Sequence, residues 1–458
     1  MTGRPLWQWS ATEIAVATRS GAISCREVAA SVVDRMRTVN PRLNAVTLDL
    51  GDTALAAADA LDAGRLRGDA IGPLFGVPIT IKDNVEVRGQ RTPNGVAGLA
   101  HIIARDDAPI VRHLLDAGAV IVGRTNTPEF SMRATTNNAL YGLTLNPWDA
   151  RISCGGSSGG AAAAVASGIG AIGHGNDVAG SIRFPAMHCG VAGFKPTSPV
   201  HAPLMSIQGP LARCVADIGL GLSVMQPPDA DRETSRSAVE PGRHAIGLIA
   251  EIPGMPIAPS VAQALRDATA ALEGAGHVVE PVDVPDIVHS GEMALRFLMT
   301  ELEHLVVPIA RRLGSEQINW YFDSWVNGMP PFRTRESFLE AVEARAAILA
   351  RWERVLATHP VVLLPQRADP LLEVDEDLRS TEHLRHVLRG YAPSATINLL
   401  GLPSAFVPTG LGEGLPTGVQ IVAGAHREDL CLAAAAAIEA CQGTLVEQLW
   451  ERTEVTGR

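Results

Sequence analysis

Cys154-Gly155-Gly156-Ser157-Ser158-Gly159-Gly160, with the small-residue run Ala161 to Ala166 behind it, is the stretch on which the reading of this chain turns. A second glycine-flanked serine follows in Asn176-Asp177-Val178-Ala179-Gly180-Ser181-Ile182-Arg183, with Ser181 standing 24 positions after Ser157. Glycine reaches backbone torsions and close approaches that a Cβ forbids. Each serine is therefore expected in a tightly shaped loop whose main-chain N–H groups can face a ligand, the pattern of an acyl-transfer site.

Gly155-Gly156-Ser157-Ser158-Gly159 also matches G-x-S-x-G, a motif that needs an apolar strand immediately before it. Here the preceding residues, Asn146-Pro147-Trp148-Asp149-Ala150-Arg151-Ile152-Ser153, form a polar stretch with a proline, so that reading fails on context. Upstream, Pro73 to Asn84 contains a short β-branched strand that ends at Lys82. The helical spacing of Ile110, Val111, Leu114 and Leu115 then leads into the apolar strand Ala119-Val120-Ile121-Val122-Gly123, and this β-α-β rhythm argues for a largely parallel sheet.

Nearer the N-terminus, Ala11 to Met36 reads as two helices broken near Ser20-Gly21, and residues 52–63 as a further helix with Asp52 or Thr53 suited to cap it. Ala162 to Ala166 should start a buried helix. Helix and strand patterns alternate through Ile218–Met225, His244–Ala250 and Ala262–Leu272. Residues 287–359 become mostly helical and hold most of the aromatics, among them Trp320, Tyr321, Phe322 and Trp325, which marks a cap. Alternation returns at Val361–Pro365 and runs through Ala405–Pro408, Thr417–Val422 and the helix Asp429–Cys441. The expected fold is α/β: a large, mixed, mostly parallel twisted sheet with helices on both faces. It is read as one continuous domain, 1–458, with N-terminal helices over 1–70, a signature core over 71–225, a variable, mostly helical cap and substrate region over 287–395 and a return to the core sheet over 396–458.

The chain has 458 residues, 46% hydrophobic and 19% charged, ordinary values for a folded protein with a large core. A formal net charge of −11 offers no broad basic surface, so nucleic acid is not expected as a partner. The N-terminus lacks a basic segment followed by an apolar one, and no run of about 18 apolar residues occurs. Membrane spanning and export are thus disfavoured and a cytoplasmic location is expected. Six scattered cysteines without a C-x-x-C pair indicate reduced thiols, with neither a zinc nor a redox site.

The serines need a base. His174 and His188 lie near the second loop, but neither forms a spacing signature. Lys82 is the other candidate: a lysine among apolar strand residues such as Ile79 and Ile81 is costly to charge, so its pKa falls and it can work as a neutral base. Chemistry alone leaves this open against a structural pairing of Lys82 with Asp83.

The motifs now form a recognisable order. Gly76-Val77-Pro78-Ile79-Thr80-Ile81-Lys82-Asp83-Asn84, Thr125-Asn126-Thr127-Pro128-Glu129-Phe130, Asn146-Pro147-Trp148-Asp149, the double-serine loop and Gly180-Ser181-Ile182-Arg183-Phe184-Pro185 resemble the amidase signature family. Further matches run through Gly193–Thr197, Gly209–Arg213, Asn398–Pro403 and Gly414–Gln420, leaving out mainly the aromatic middle. The resemblance implies the amidase signature fold and a Ser–cis-Ser–Lys triad: Ser181 as nucleophile, Ser157 as bridging serine after a cis peptide bond, Lys82 as base and Ser158 as an auxiliary hydroxyl. It also implies an oxyanion hole from the backbone N–H groups of Val178, Ala179, Gly180 and Ser181, with no metal and no cofactor.

The sequence departs from the family's usual pattern at Ala179 (more often Gly), Asn176 (more often Thr) and Cys154 (often Pro). If position 179 needs φ > 0, the alanine Cβ adds strain. Arg183 could clamp a substrate carboxylate but reads first as a structural ion pair or a bond to loop carbonyls, and Trp320, Tyr321, Phe322 and Trp325 read first as packed helix core, with an acyl or amine pocket as the alternative. The function expected is hydrolysis of a small, uncharged carboxylic amide, aryl or alkyl, with ester or carbamate cleavage as a side activity. Two rival readings are a glutaminase-type subunit of a tRNA-dependent amidotransferase and a catalytically silent binding protein. A symmetric homodimer is the base-rate expectation for assembly.

Overall fold

The computed structural model describes residues 3–198, 205–226, 244–284 and 286–456, with the side chains of 453–456 left aside. Its strands are β1 (Val46–Asp49), β2 (Pro78–Lys82), β3 (Val120–Thr125), β4 (Ile172–Asp177), β5 (Ala192–Lys195), β6 (Ile207–Ala212), β7 (Ala245–Leu248), β8 (Val278–Pro281), β9 (Val361–Leu364), β10 (Ser404–Gly412) and β11 (Leu415–Ala423). They form one 11-stranded sheet in the order β1-β3-β2-β4-β6-β5-β10-β11-β9-β7-β8.

The sheet is large and mixed, as expected, but the expected excess of parallel pairing is corrected. Only β2/β3, β2/β4, β7/β8 and β7/β9 pair in parallel. The other six pairings are antiparallel. The β-α-β rhythm holds at the two flanks, where a helix separates consecutive strands. The middle is stitched by β10 and β11, a hairpin whose two-residue loop, Glu413-Gly414, has φ of 53° and 84°. Positive φ at both loop positions fits the right-handed twist of paired antiparallel strands.

The faces of the sheet explain the apolar runs. In β9, Val361 and Leu363 join one buried cluster with Ile79, Ile81, Phe194 and Ile421. Val362 and Leu364 join another, with Leu295, Tyr321, Phe322 and Trp325. A strand covered on both faces has no polar side to alternate with. The helices Ile287–Leu305, Val307–Leu313, Glu316–Gly328 and Arg335–Thr358 supply the second cluster, so the mostly helical middle is observed, with β9 inside the 287–395 span lying in the sheet.

The first two helices, Ala11–Ser20 and Cys25–Leu43, carry capping boxes at Ser10 and Ser24 and part at Gly21, φ 75°. The next helix runs Gly51–Arg67, and its capping expectation is corrected: neither Asp52 nor Thr53 caps it, and the Asp49 carboxylate instead accepts the Gly51 N–H at 2.6 Å. All six cysteines are unpaired. Glu428–Arg452 has the length and mean hydropathy, 1.4, of a membrane-crossing segment. It is, however, divided between the helices Glu428–Gln442 and Val446–Thr456, and Leu430, Cys431, Ala434, Ala435 and Ile438 are buried in the main cluster.

Candidate active site

β2 and β4 are parallel neighbours in the register Thr80↔Gly173, so both finish at the same edge of the sheet. That alignment brings Lys82, the last residue of β2, beside Asn176 and Asp177, the last two of β4. In open α/β sheets such carboxyl ends are where ligands bind. Ile79 and Ile81 point into the main apolar cluster, and strand alternation turns Lys82 the other way.

Lys82 is completely buried. Its Nζ lies 2.7 Å from Ser157 Oγ, within hydrogen-bond reach, and donates to Asn176 Oδ1 at 2.7 Å. Burial holds its pKa well below the usual lysine range, partly opposed by the charge of Asp177. Desolvation disfavours the ammonium form, so the fold favours a neutral amine here. Asp83 does not pair with Lys82 but accepts the Gly95 N–H at 3.2 Å, and burial raises its pKa to about 6 against the pull of Arg124.

The Gly156–Ser157 peptide bond is cis. Gly156 leaves no room for a side chain, since a Cβ there would lie 2.1 Å from the Arg133 carbonyl oxygen. The two serine loops are tied directly, Ser158 N–H donating to the Ser181 carbonyl at 3.1 Å. Among the described residues, Ser158 Oγ reaches only the Asn176 carbonyl, at 3.4 Å. Lys82 and Ser157 are thus in contact, while the Ser181 hydroxyl has no hydrogen bond among the described residues and Ser181 lines a cavity.

Asp177 organises the second loop. Burial pushes its carboxyl up, but the Arg183 guanidinium and the loop N–H groups win and hold it at about 2. It accepts from Arg183 Nη2 at 3.0 Å and Nε at 3.1 Å, from Gly180 N–H at 2.7 Å and from Ile182 N–H at 3.1 Å. Arg183 is completed by Gln420, Asn398 and the Ser394 carbonyl, which makes it the structural ion pair expected. Of the four amides expected to face an oxyanion, the Gly180 N–H is therefore withdrawn, since a carboxylate holds it. Val178, Ala179 and Ser181 keep N–H groups without an acceptor among the described residues. The positive φ falls on Gly180, at 124°, and not on Ala179, so the alanine brings no left-handed strain.

The two histidines sit elsewhere. His174 Nε2 meets Gln208 Oε1 at 2.8 Å. His188 bonds the Phe184 carbonyl and the Leu372 N–H. Burial lowers both to about 4, so neither ring is charged at neutral pH.

The cavity at Ser181 is walled by Phe184, Tyr391, Tyr321, Trp325, Leu295 and Leu298, with Val178, Ala179 and Met132. Tyr321 and Trp325 thus serve both as helix core and as lining, Trp325 standing edge-on to Tyr321 with ring centroids 5.9 Å apart. Arg133 also lines it, yet its guanidinium is already taken by Asp375 at 2.6 Å, Asp377 at 2.7 Å and Gln317 at 3.1 Å. Sequence reasoning missed Asn176 as a partner of the lysine, Asn84 behind it, and Phe184, Leu295 and Tyr391 as lining. The departure at Asn176 was the one signal available.

A lysine and paired serine loops at the carboxyl ends of a mixed sheet, with both nearby histidines turned away, set the chain apart from histidine-based hydrolases and among the amidohydrolases that cleave carbon–nitrogen bonds. The chain belongs to the amidase signature family: the Amidase family model matches residues 27–432. It is 45% identical to an indoleacetamide hydrolase of Bradyrhizobium diazoefficiens, over 98% of this chain and 89% of that protein. It is 32% identical to a glutamyl-tRNA(Gln) amidotransferase subunit from Moorella thermoacetica, over 95% and 96% of the two chains. Among solved structures, a 6-aminohexanoate cyclic dimer hydrolase complexed with substrate superposes with a TM-score of 0.83 at 29% identity, covering 97% of this chain and all of that one (100%).

Proposed function

We propose that this amidase hydrolyses a neutral arylacetamide, of which indole-3-acetamide is the leading case, to the arylacetate and ammonia. The observation that carries the reading is the cavity over Ser181, aromatic and aliphatic on most sides, whose one charged lining residue among those described, Arg133, is already bound by two aspartates. Such a lining suits a planar apolar group in kind, and among the described residues a carboxylate-bearing substrate would find no free cation there. The likeness to indoleacetamide hydrolases supports the same class.

In this reading neutral Lys82 draws a proton through Ser157 from Ser181, whose Oγ attacks the amide carbon. The N–H groups of Val178, Ala179 and Ser181 receive the oxyanion. The proton returns to the departing nitrogen, ammonia leaves, and water cleaves the seryl ester by the same relay. Ser158 is an auxiliary hydroxyl on the shared loop. The enzyme needs no metal or cofactor for these steps.

The test is to assay purified protein for ammonia release from indole-3-acetamide, phenylacetamide, acetamide and glutamine. The reading expects the arylacetamides to give the highest kcat/KM, and a preference for glutamine would replace it with the amidotransferase-subunit reading. Labelling of Ser181 by a fluorophosphonate separates an active enzyme from a silent binding protein.

A further inference from the structure

Lys82 does not face Ser157 alone. Its Nζ also donates to Asn176 Oδ1 at 2.7 Å, and Asn176 turns its Nδ2 to Asn84 Oδ1 at 3.0 Å. Asn84 Nδ2 donates in turn to Ser131 Oγ at 3.1 Å, and Ser131 donates to Asn94 Oδ1 at 2.7 Å. Thr127 Oγ1 lies 3.0 Å from Ser131 Oγ. Because the one Ser131 proton goes to Asn94, Thr127 is the donor in that contact. Every bond in the chain from Lys82 to Asn94 runs the same way and ends on an oxygen that only accepts.

A neutral amine has two N–H bonds and one lone pair. An amide oxygen cannot donate, so the contact with Asn176 occupies an N–H bond of the lysine. Were the amide turned over, its Nδ2–H would take the lone pair, and Asn84, Ser131 and Asn94 would all have to reverse with it. We infer that Asn176 is a positioning residue: by accepting from Lys82 Nζ, and by being held in that orientation through Asn84, Ser131 and Asn94, it leaves the lysine lone pair to the Ser157 hydroxyl. The inference rests on Lys82 being the base of the proposed reaction. A threonine at 176 would not impose this direction, because a hydroxyl can donate as well as accept.

The charged and titratable groups around Lys82 come from several elements. Asp83 follows it in the chain, Arg124 of β3 donates to its carbonyl at 3.2 Å, and His174 and Asp177 stand on β4, the latter bound to Arg183. The asparagine chain adds no charge to this set. It directs the amine without stabilising the ammonium as a carboxylate would.

The test compares kcat, KM and the pH profile of indole-3-acetamide hydrolysis for wild type, Lys82→Met, Asn176→Leu, Asn176→Asp, Asn176→Thr and Asn84→Leu. Asn176→Leu is expected to lower kcat on the order of 10- to 100-fold with KM nearly unchanged, the effect of a misplaced reacting group. Asn176→Asp keeps the acceptor but adds a negative charge, so the acidic limb of kcat/KM moves up by about one pH unit or more and activity returns at high pH. Asn176→Thr falls between wild type and Asn176→Leu, and Asn84→Leu gives a smaller kcat loss of the same kind. Melting curves establish that each variant folds, and if Asn176→Leu does not, Asn176→Thr and Asn84→Leu carry the test. Wild-type kcat and pH limb in the asparagine variants, with Lys82→Met inactive, overturn the inference. A fully active Lys82→Met overturns the reading of the base instead.

Discussion

The floor of the site and its wall are built on different principles. The floor is made from three short segments, the end of β2 with Lys82 and the two serine loops, whose backbones are held by Asp177 on one side and by the Arg133 carbonyl against Gly156 on the other. The wall is made from side chains of four distant segments, Phe184, Leu295, Tyr321 with Trp325, and Tyr391, held by apolar packing. Chemistry needs fixed donors and a base of fixed charge. Selectivity needs only volume and shape, which many apolar residues can supply.

If that contrast is right, changes in the floor should act on kcat and changes in the wall on selectivity. The largest effect is expected at Ser181→Ala, a loss on the order of 10⁶ in kcat with an unchanged melting curve and no fluorophosphonate labelling. Lys82→Met should cost ~10²–10⁴ in kcat. In the wild type kcat/KM should rise with pH through the folded pKa of Lys82 and level off well below 10.5, because burial depresses that pKa and the neutral amine is the working form. A plateau reached only above pH 10 would remove the neutral-base reading.

Asp177→Asn tests whether the floor is held by the buried pair. It leaves Arg183 without its countercharge and should destabilise the fold by about 3–5 kcal/mol, read as a lower melting temperature. The sign of the pH dependence follows from the direction of the shift. The carboxyl is held at about 2, below its ordinary 3.8, so its contribution is full above about 4 and is lost as pH falls toward 2.

In the wall, Trp325→Leu should reduce the preference for indole-3-acetamide over acetamide by about 10- to 200-fold, the range for a reshaped apolar pocket, with the acetamide rate little changed. An equal fall for both substrates would assign Trp325 to the floor's support. The smallest effect is expected at Ala179→Gly, within roughly 0.5 kcal/mol in activation free energy and stability, because residue 179 does not occupy the left-handed region.

The floor was legible in the sequence to the same degree that the wall was not. Ser157, Ser158, Ser181 and Lys82 stand in short contiguous motifs, and their grouping follows from strands that end at one edge. Two details escaped. Nothing local shows that the Gly180 N–H is spent on Asp177, because the carboxylate's orientation depends on Arg183 and, through it, on Gln420 and Asn398 from the far end of the chain. The role of Asn176 beside Lys82 depends likewise on the β2/β4 register. In the wall, Tyr321 and Trp325 read first as helix core with a pocket as the alternative, and they are both; periodicity could not choose, since an apolar face looks alike toward a ligand or toward a neighbour.

The sequence by itself determined the family, the amidase chemistry, the serine loops and the helical middle, because each is written in local residue types: glycines that close loops, a lysine at the end of a β-branched strand, and helical spacing of apolar side chains. Only the tertiary structure decided the balance of parallel and antiparallel strands, which loop amides lack an acceptor among the described residues, which side chains meet Lys82, and which aromatics line the cavity at Ser181. These are relations between segments tens to hundreds of residues apart, and they are fixed by sheet register, burial and the competition for a limited number of donors and acceptors.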